Sequence, residues 1–314
     1  MATKAERDSF LRGEIAKMKK EKNALIMAHF YQRDEIQEIA DFIGDSLALA
    51  RHAAKTDADI IVMCGVHFMG ETAKILCPDK KVLVPDLAAG CSLADSCPPE
   101  EFEAFVKSHP DHTVVSYVNT SAAVKANTDI VVTSGNARQI IEQLPEEEKI
   151  IFGPDRNLGE YINSVTGRQM LLWKGACHVH DRFSLEKILE MKKQHPEAKI
   201  LVHPECQRPL QLIADKVGST AALLDFAQKD DAKEFIVVTE SGILFEMRRK
   251  CPDKILYAAP AEDSECQCNE CDFMKLNTLE KVYTALRDES PEIIVDEEVA
   301  ARALRPIERM LEMS

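Results

Sequence analysis

The chain has 314 residues, with 39 Lys or Arg against 53 Asp or Glu, a formal charge of −14, and 45% apolar residues. So acidic a surface repels nucleic-acid phosphates and anionic membranes, and neither is an expected partner. Nothing approaches the run of ~18 apolar residues that a membrane span requires, and MATKAERDSFLRGE lacks the hydrophobic stretch of a secretory signal. The expectation is a cytoplasmic protein of two or three domains.

In chain order, strands are predicted at ALIMAHF, DIIVMCG, KVLVPDL, HTVVSYV, DIVVTSG, KIIFGPD, KILVHPE, EFIVVTE and KILYAAP, with charged amphipathic segments between them. Runs rich in Val, Ile and Leu joined by helix-length crossovers point to parallel sheets covered on both faces. The strand ends also repeat. His29, Tyr117 and His203 fall 88 and 86 residues apart. Ser46, Ser134 and Ser219 follow at 88 and 85, and the strands starting at Ile60, Ile150 and Phe235 at 90 and 85. KVLVPDL, QMLLWKG and KILYAAP make a fourth landmark in the same order. This pattern predicts three similar small α/β domains in a pseudo-threefold triangle, each a four-stranded parallel sheet flanked by helices. Their expected bounds are 1–97, 98–183 and 184–271, with helices in 272–314 (NTLEKVYTALRD and EEVAARALRPIERMLEM) bracing the assembly.

Ligands of open parallel sheets bind beyond the carboxyl ends of the strands. There the repeats place His29 with Tyr31, Tyr117 with Asn119, and His203 with Glu205. Side chains two apart on an extended segment share a face, so each pair is expected to look into one cavity. Ser46, Ser134, Ser219 and Thr220 each open a predicted helix, where N–H groups and hydroxyls suit a carboxylate or phosphate. Glu205 is the candidate general base, and His29 and His203 are candidates to hold a carboxylate or move a proton.

Ten cysteines in a chain of this kind are core residues, metal ligands or catalytic groups. After the last strand of each unit come Cys91, then Cys177, then Cys266, Cys268 and Cys271, among which spacing does not choose. One cysteine per unit makes a three-thiolate site. It suits a structural zinc completed by His178 or His180, or a [4Fe–4S] cluster with one iron lacking a protein ligand, which the polar lining favours. Cys64, Cys77, Cys97, Cys206, Cys251 and Trp173 are expected to pack, and Asp155 with Arg156 to make an interdomain ion pair.

AHFYQ, ADFIGDSLALAR, VPDLAAGCSLAD, YVNTSAAVKA, TSGNA, IFGPDRNLGEY, VHPEC, KVGST and MKLNTLE together resemble the quinolinate synthase family, in order from about Lys22 to the C-terminus. The resemblance implies a transferase of NAD biosynthesis that condenses iminosuccinate with dihydroxyacetone phosphate to quinolinate, releasing phosphate and water. It implies Cys91, Cys177 and Cys271 as the ligands of a [4Fe–4S] cluster with one open iron. It implies His29, Ser46, Tyr117, Asn119, Ser134, His203, Glu205 and Thr220 as substrate-binding, with Tyr31 catalytic beside Glu205 and His203. The enzyme supplying iminosuccinate is a candidate partner. The competing readings are another three-cysteine [4Fe–4S] enzyme of triplicated α/β design, of the diphthamide-synthesis or isoprenoid-reductase type, and a non-catalytic cluster carrier or sensor. Cys266 and Cys268 stand as extra thiols.

Overall fold

The computed structural model describes residues 3–262 and 269–314; Cys266 and Cys268, and any disulfide between them, lie outside the described residues. Among the described residues, twelve strands form three parallel four-stranded sheets. The first holds β1 (Ala24–His29), β2 (Phe42–Gly44), β3 (Ile60–Cys64) and β4 (Lys81–Leu83). β5 (Thr113–Tyr117), β6 (Ile130–Val132), β7 (Ile150–Gly153) and β8 (Leu171–Leu172) form the second. β9 (Lys199–Val202), β10 (Lys216–Val217), β11 (Glu234–Val238) and β12 (Ile255–Ala258) form the third.

Each sheet has the same order, second–first–third–fourth. Chain connections therefore diverge on either side of the first and third strands, and a crevice opens beyond the carboxyl ends of β1/β3, β5/β7 and β9/β11. Registers such as Ala24↔Ile60, Thr113↔Ile150 and Lys199↔Phe235 bring those ends level. The inner strands are β-branched and buried along nearly their whole length, β3 and β7 entirely so, because helices cover both faces. β2 and β10 are edge strands of three and two residues in the segments DFIG and DKV, too short and too poor in β-branched residues to stand out in sequence.

The opening helix, Lys4–Glu21, was not among the sequence expectations. Its Thr3 hydroxyl accepts from Glu6 N–H while the Glu6 carboxylate accepts from Thr3 N–H, a capping box readable as T-x-x-E. Leu11, Ile15 and Met18 bury one face against Leu279 and Val282 of the helix Leu279–Asp288. The last helix, Glu297–Glu312, packs on β6 and on Ala122–Lys125, and buries Ala303, Ile307 and Met310. These join residues of all three sheets, including Met27, Val115 and Leu201, in one continuous core. Among the described residues, no helix is long and apolar enough to cross a membrane.

Candidate functional site

The three strand-end crevices open on one cavity. Every sequence-predicted site residue except Ser219 lines it: the three cysteines, His29, Tyr31, Ser46, Tyr117, Asn119, Ser134, His203, Glu205 and Thr220. The pairs His29/Tyr31, Tyr117/Asn119 and His203/Glu205 do share the cavity, but by turns rather than by strand alternation. β1, β5 and β9 end at or just before the first member of each pair, and the chain then bends.

Backbone geometry fixes two imidazoles. Tyr31 N–H donates to His29 Nδ1 (3.2 Å) and Glu205 N–H to His203 Nδ1 (3.4 Å). An Nδ1 that accepts leaves the ring proton on Nε2, so both rings are donors at that atom. Burial holds both rings down at about 3, and they are neutral near pH 7.

Glu205 lies 2% exposed at the centre. Tyr117 Oη donates to its Oε1, and His180 Nδ1 lies 3.0 Å from its Oε2. Burial opposes the ionised carboxyl, but His180, beside it and hydrogen-bonded to it, and the Tyr117 hydroxyl outweigh burial and hold Glu205 below the usual carboxylate range. His180 Nε2 lies 2.9 Å from Thr239 Oγ1, which lies 2.7 Å from Tyr31 Oη; Thr220 Oγ1 lies at 2.7 Å on the other side of that hydroxyl. A buried chain of hydrogen bonds therefore runs from Tyr31 to Tyr117 through Thr239, His180 and Glu205, and it joins segments of all three sheets. Sequence reasoning placed His180 only as an alternative zinc ligand and passed over Thr239. Thr239 ends the repeated strand FIVVT, but its counterparts there are Cys64 and Pro154, and His180 has no counterpart, so the repeat singled out neither.

The hydroxyls of the helix starts divide. Ser46 is the first residue of helix Ser46–Ala53, but the cap is Asp45, whose carboxylate accepts from Ala48 N–H (3.0 Å). Thr220 likewise opens helix Thr220–Lys229 at the cavity, while Ser219 is its cap, accepting from Ala222 N–H (3.3 Å). Ser219 is buried away from the lining. Ser134 does not open a helix: the next one begins at Ala137, and Ser134 stands in the turn before it. Asn119 Oδ1 is buried without a hydrogen-bond partner among the described residues, an acceptor left for a ligand in the cavity.

Each cysteine precedes a short helical turn whose N–H groups point back at sulfur: Leu93 and Ala94 for Cys91, His180 for Cys177, Phe273 and Met274 for Cys271. Burial pushes Cys91 up to about 12 and Cys271 up to about 11, and it also holds Cys177 well above the ordinary thiol value. Thiols so placed become thiolates against a metal, and the N–H donors then offset the charge. Among the described residues, the set of His, Cys and carboxylate donors within 4.8 Å of one another is Cys177, His180 and Glu205. The three sulfurs are spread more widely. Three thiols with N–H donors on one cavity are a donor set that fits a metal group.

The remaining expectations sort simply. Cys64, Cys77, Cys97, Cys206 and Cys251 are buried. Trp173 packs edge-on to Phe102 and Phe105. Asp155 and Arg156 do not form the expected ion pair. Asp155 caps helix Arg156–Thr166 and accepts from Cys177 N–H (3.2 Å), while Arg156 pairs with Asp181 (3.1 Å). Asp155 is wholly buried, where backbone donors rather than a guanidinium satisfy it.

Residues 13–312 match the sequence profile of the family described as Quinolinate synthetase A protein. The quinolinate synthase of Synechococcus sp. is 56% identical over 300 residues, covering 96% of this chain and 94% of that protein. That of Nostoc punctiforme is 58% identical, with 96% and 92% covered. That of Chloroherpeton thalassium is 55% identical over 301 residues, with 96% and 94% covered.

Proposed function

The chain belongs to the quinolinate synthase family, enzymes of NAD biosynthesis, and on that premise we propose that it condenses iminosuccinate with dihydroxyacetone phosphate to quinolinate, releasing phosphate and water. The observation that carries this reading is the convergence of Cys91, Cys177 and Cys271 on the cavity that Tyr31, Tyr117, His203 and Glu205 also line. A [4Fe–4S] cluster held there by three thiolates, with one iron free of protein ligands, supplies a Lewis acid when bound.

The chain's own residues do the rest. Both substrates are anions, and a surface of charge −14 does not attract them; recognition is therefore local. His29 and His203 offer Nε2–H groups to carboxylates. Ser46 and Thr220 add hydroxyls at two helix N-termini, where N–H groups and the dipole favour negative charge. Asn119 and Ser134 complete the polar lining. Glu205 takes a carbon-bound proton once Tyr117 turns from it to substrate. Losing that donor removes one of the interactions that favour the ionised carboxylate, so its basicity rises. Tyr31, held by Thr220 and Thr239, gives and takes a proton through His180. The enzyme is thus read as a cytoplasmic transferase, built as domains 1–97, 98–183 and 184–271 with bracing helices in 272–314, and supplied by an enzyme that makes iminosuccinate.

The test is anaerobic purification followed by assay of quinolinate and phosphate from the two substrates. Iron and sulfide near a cluster's content per chain are expected, with loss of both the chromophore and turnover on Cys91→Ala, Cys177→Ala or Cys271→Ala but not on Cys64→Ala. Full turnover in a zinc-only preparation, or absence of phosphate release, would sink the proposal.

A further inference from the structure

Glu240 and Lys275 have no part in the chemistry above, yet their side chains are only 1% and 10% exposed. A buried ion pair is tolerable only where its remaining lone pairs and protons find partners, and those partners are informative. Glu240 Oε1 takes Lys275 Nζ at 2.9 Å and Cys271 N–H at 3.1 Å, and Oε2 takes Gly242 N–H at 2.7 Å. Lys275 Nζ also donates to the carbonyl of Tyr31 at 2.8 Å. Gly242 packs directly on that residue: a Cβ there would lie 2.8 Å from Tyr31 C and Cα, so only glycine permits the approach. Thr239, one residue before Glu240, meets the Tyr31 hydroxyl. The segment Thr239–Gly242 therefore grips Tyr31 at its hydroxyl, at its backbone and, through Lys275, at its carbonyl. The same carboxylate anchors the Cys271 loop.

We propose that Glu240 and Lys275 are positioning residues that couple the Cys271 loop to Tyr31, so that loading the metal site pre-organises the tyrosine hydroxyl. The proposal rests on the reading of Cys271 as a cluster ligand and of Tyr31 as a group that meets substrate. Pre-organisation of this kind matters because a displacement of about 1 Å at a reacting group can cost ~10²-fold in rate.

The variant Glu240→Gln with Lys275→Met removes both charges at once and leaves neither one orphaned. In the anaerobically purified enzyme its kcat is expected to fall by up to ~10²-fold with KM little changed. In a Tyr31→Phe background the same two substitutions should add no further loss, since both routes act through one hydroxyl. Hydrogen exchange needs no substrate. The amides of residues 30–33 should exchange faster in the double variant, and faster in the wild type after chelation of its iron, while those of 114–118 stay as they are. Additive losses with Tyr31→Phe, or unchanged exchange at 30–33 in either comparison, would overturn the coupling. A wild-type enzyme that makes no quinolinate would instead overturn the functional reading, and the exchange comparison would still decide the coupling.

Discussion

Glu205 has both carboxylate oxygens engaged, one by Tyr117 and one by His180, and is only 2% exposed. Replacing one oxygen by an amide keeps the shape and one acceptor but removes the capacity to take a proton. Glu205→Gln is therefore expected to retain iron and fold while turnover falls ~10²–10⁴-fold, the usual contribution of a general base; near wild-type turnover with an intact cluster would pass the role to Tyr31 or a histidine. This carboxylate was legible because it ends a repeated strand two residues after a histidine. His180 was not, although it touches more of the site: Glu205, Thr239, and Cys177 Sγ at 3.3 Å, with its ring stacked on His203 at 4.5 Å. A histidine's type does not reveal whether it is buried or what it faces, and no repeat partner singled this one out.

The helix Lys4–Glu21 shows what an element contributes when it covers a sheet rather than builds a site. Ile15 is 1% exposed between β1 and the helix Leu279–Asp288, so Ile15→Ala leaves a cavity that little can fill. A loss of about 2–5 kcal/mol is expected from denaturant unfolding. Phe10, 60% exposed on the same helix, serves as the comparison; Phe10→Ala should cost far less, and equal losses would contradict the burial argument. Among strands, the long inner ones were readable from β-branched runs. β2 and β10 were not, because a two- or three-residue edge strand is held by its neighbour's hydrogen bonds more than by its own propensity.

At the scale of the whole molecule, Glu289, at the C-terminal end of the helix Leu279–Asp288, ties that helix to the first sheet. Its carboxylate receives Lys22 Nζ at 2.7 Å and Lys81 Nζ at 2.5 Å, from the end of the first helix and from β4. Hydrogen bonds from Lys22 and then Lys81 hold it down from 4.5 to about 2. A folded-state value below the unfolded one means that the stabilisation is complete above about 4.5 and is lost as pH falls toward about 2. Wild type should therefore be more stable than Glu289→Gln near neutrality, with the gap closing through that window in thermal melts. A gap that persisted unchanged at the acid end would remove Glu289 from the account.

By itself the sequence determined the threefold repeat, because β-branched runs at constant spacing are a local signal and each unit announces its own strands. The residues at repeated strand ends, and the cysteines that follow the last strands, came with it. Only the tertiary structure decided which further groups join them. Tyr31 meets Lys275 across 244 residues of chain and Thr239 across 208, and His180 meets Thr239 across 59. Such contacts belong to no period. They arise because three sheets turn their switch points toward one cavity, and because every polar group buried there must find a partner from whichever segment the fold brings near.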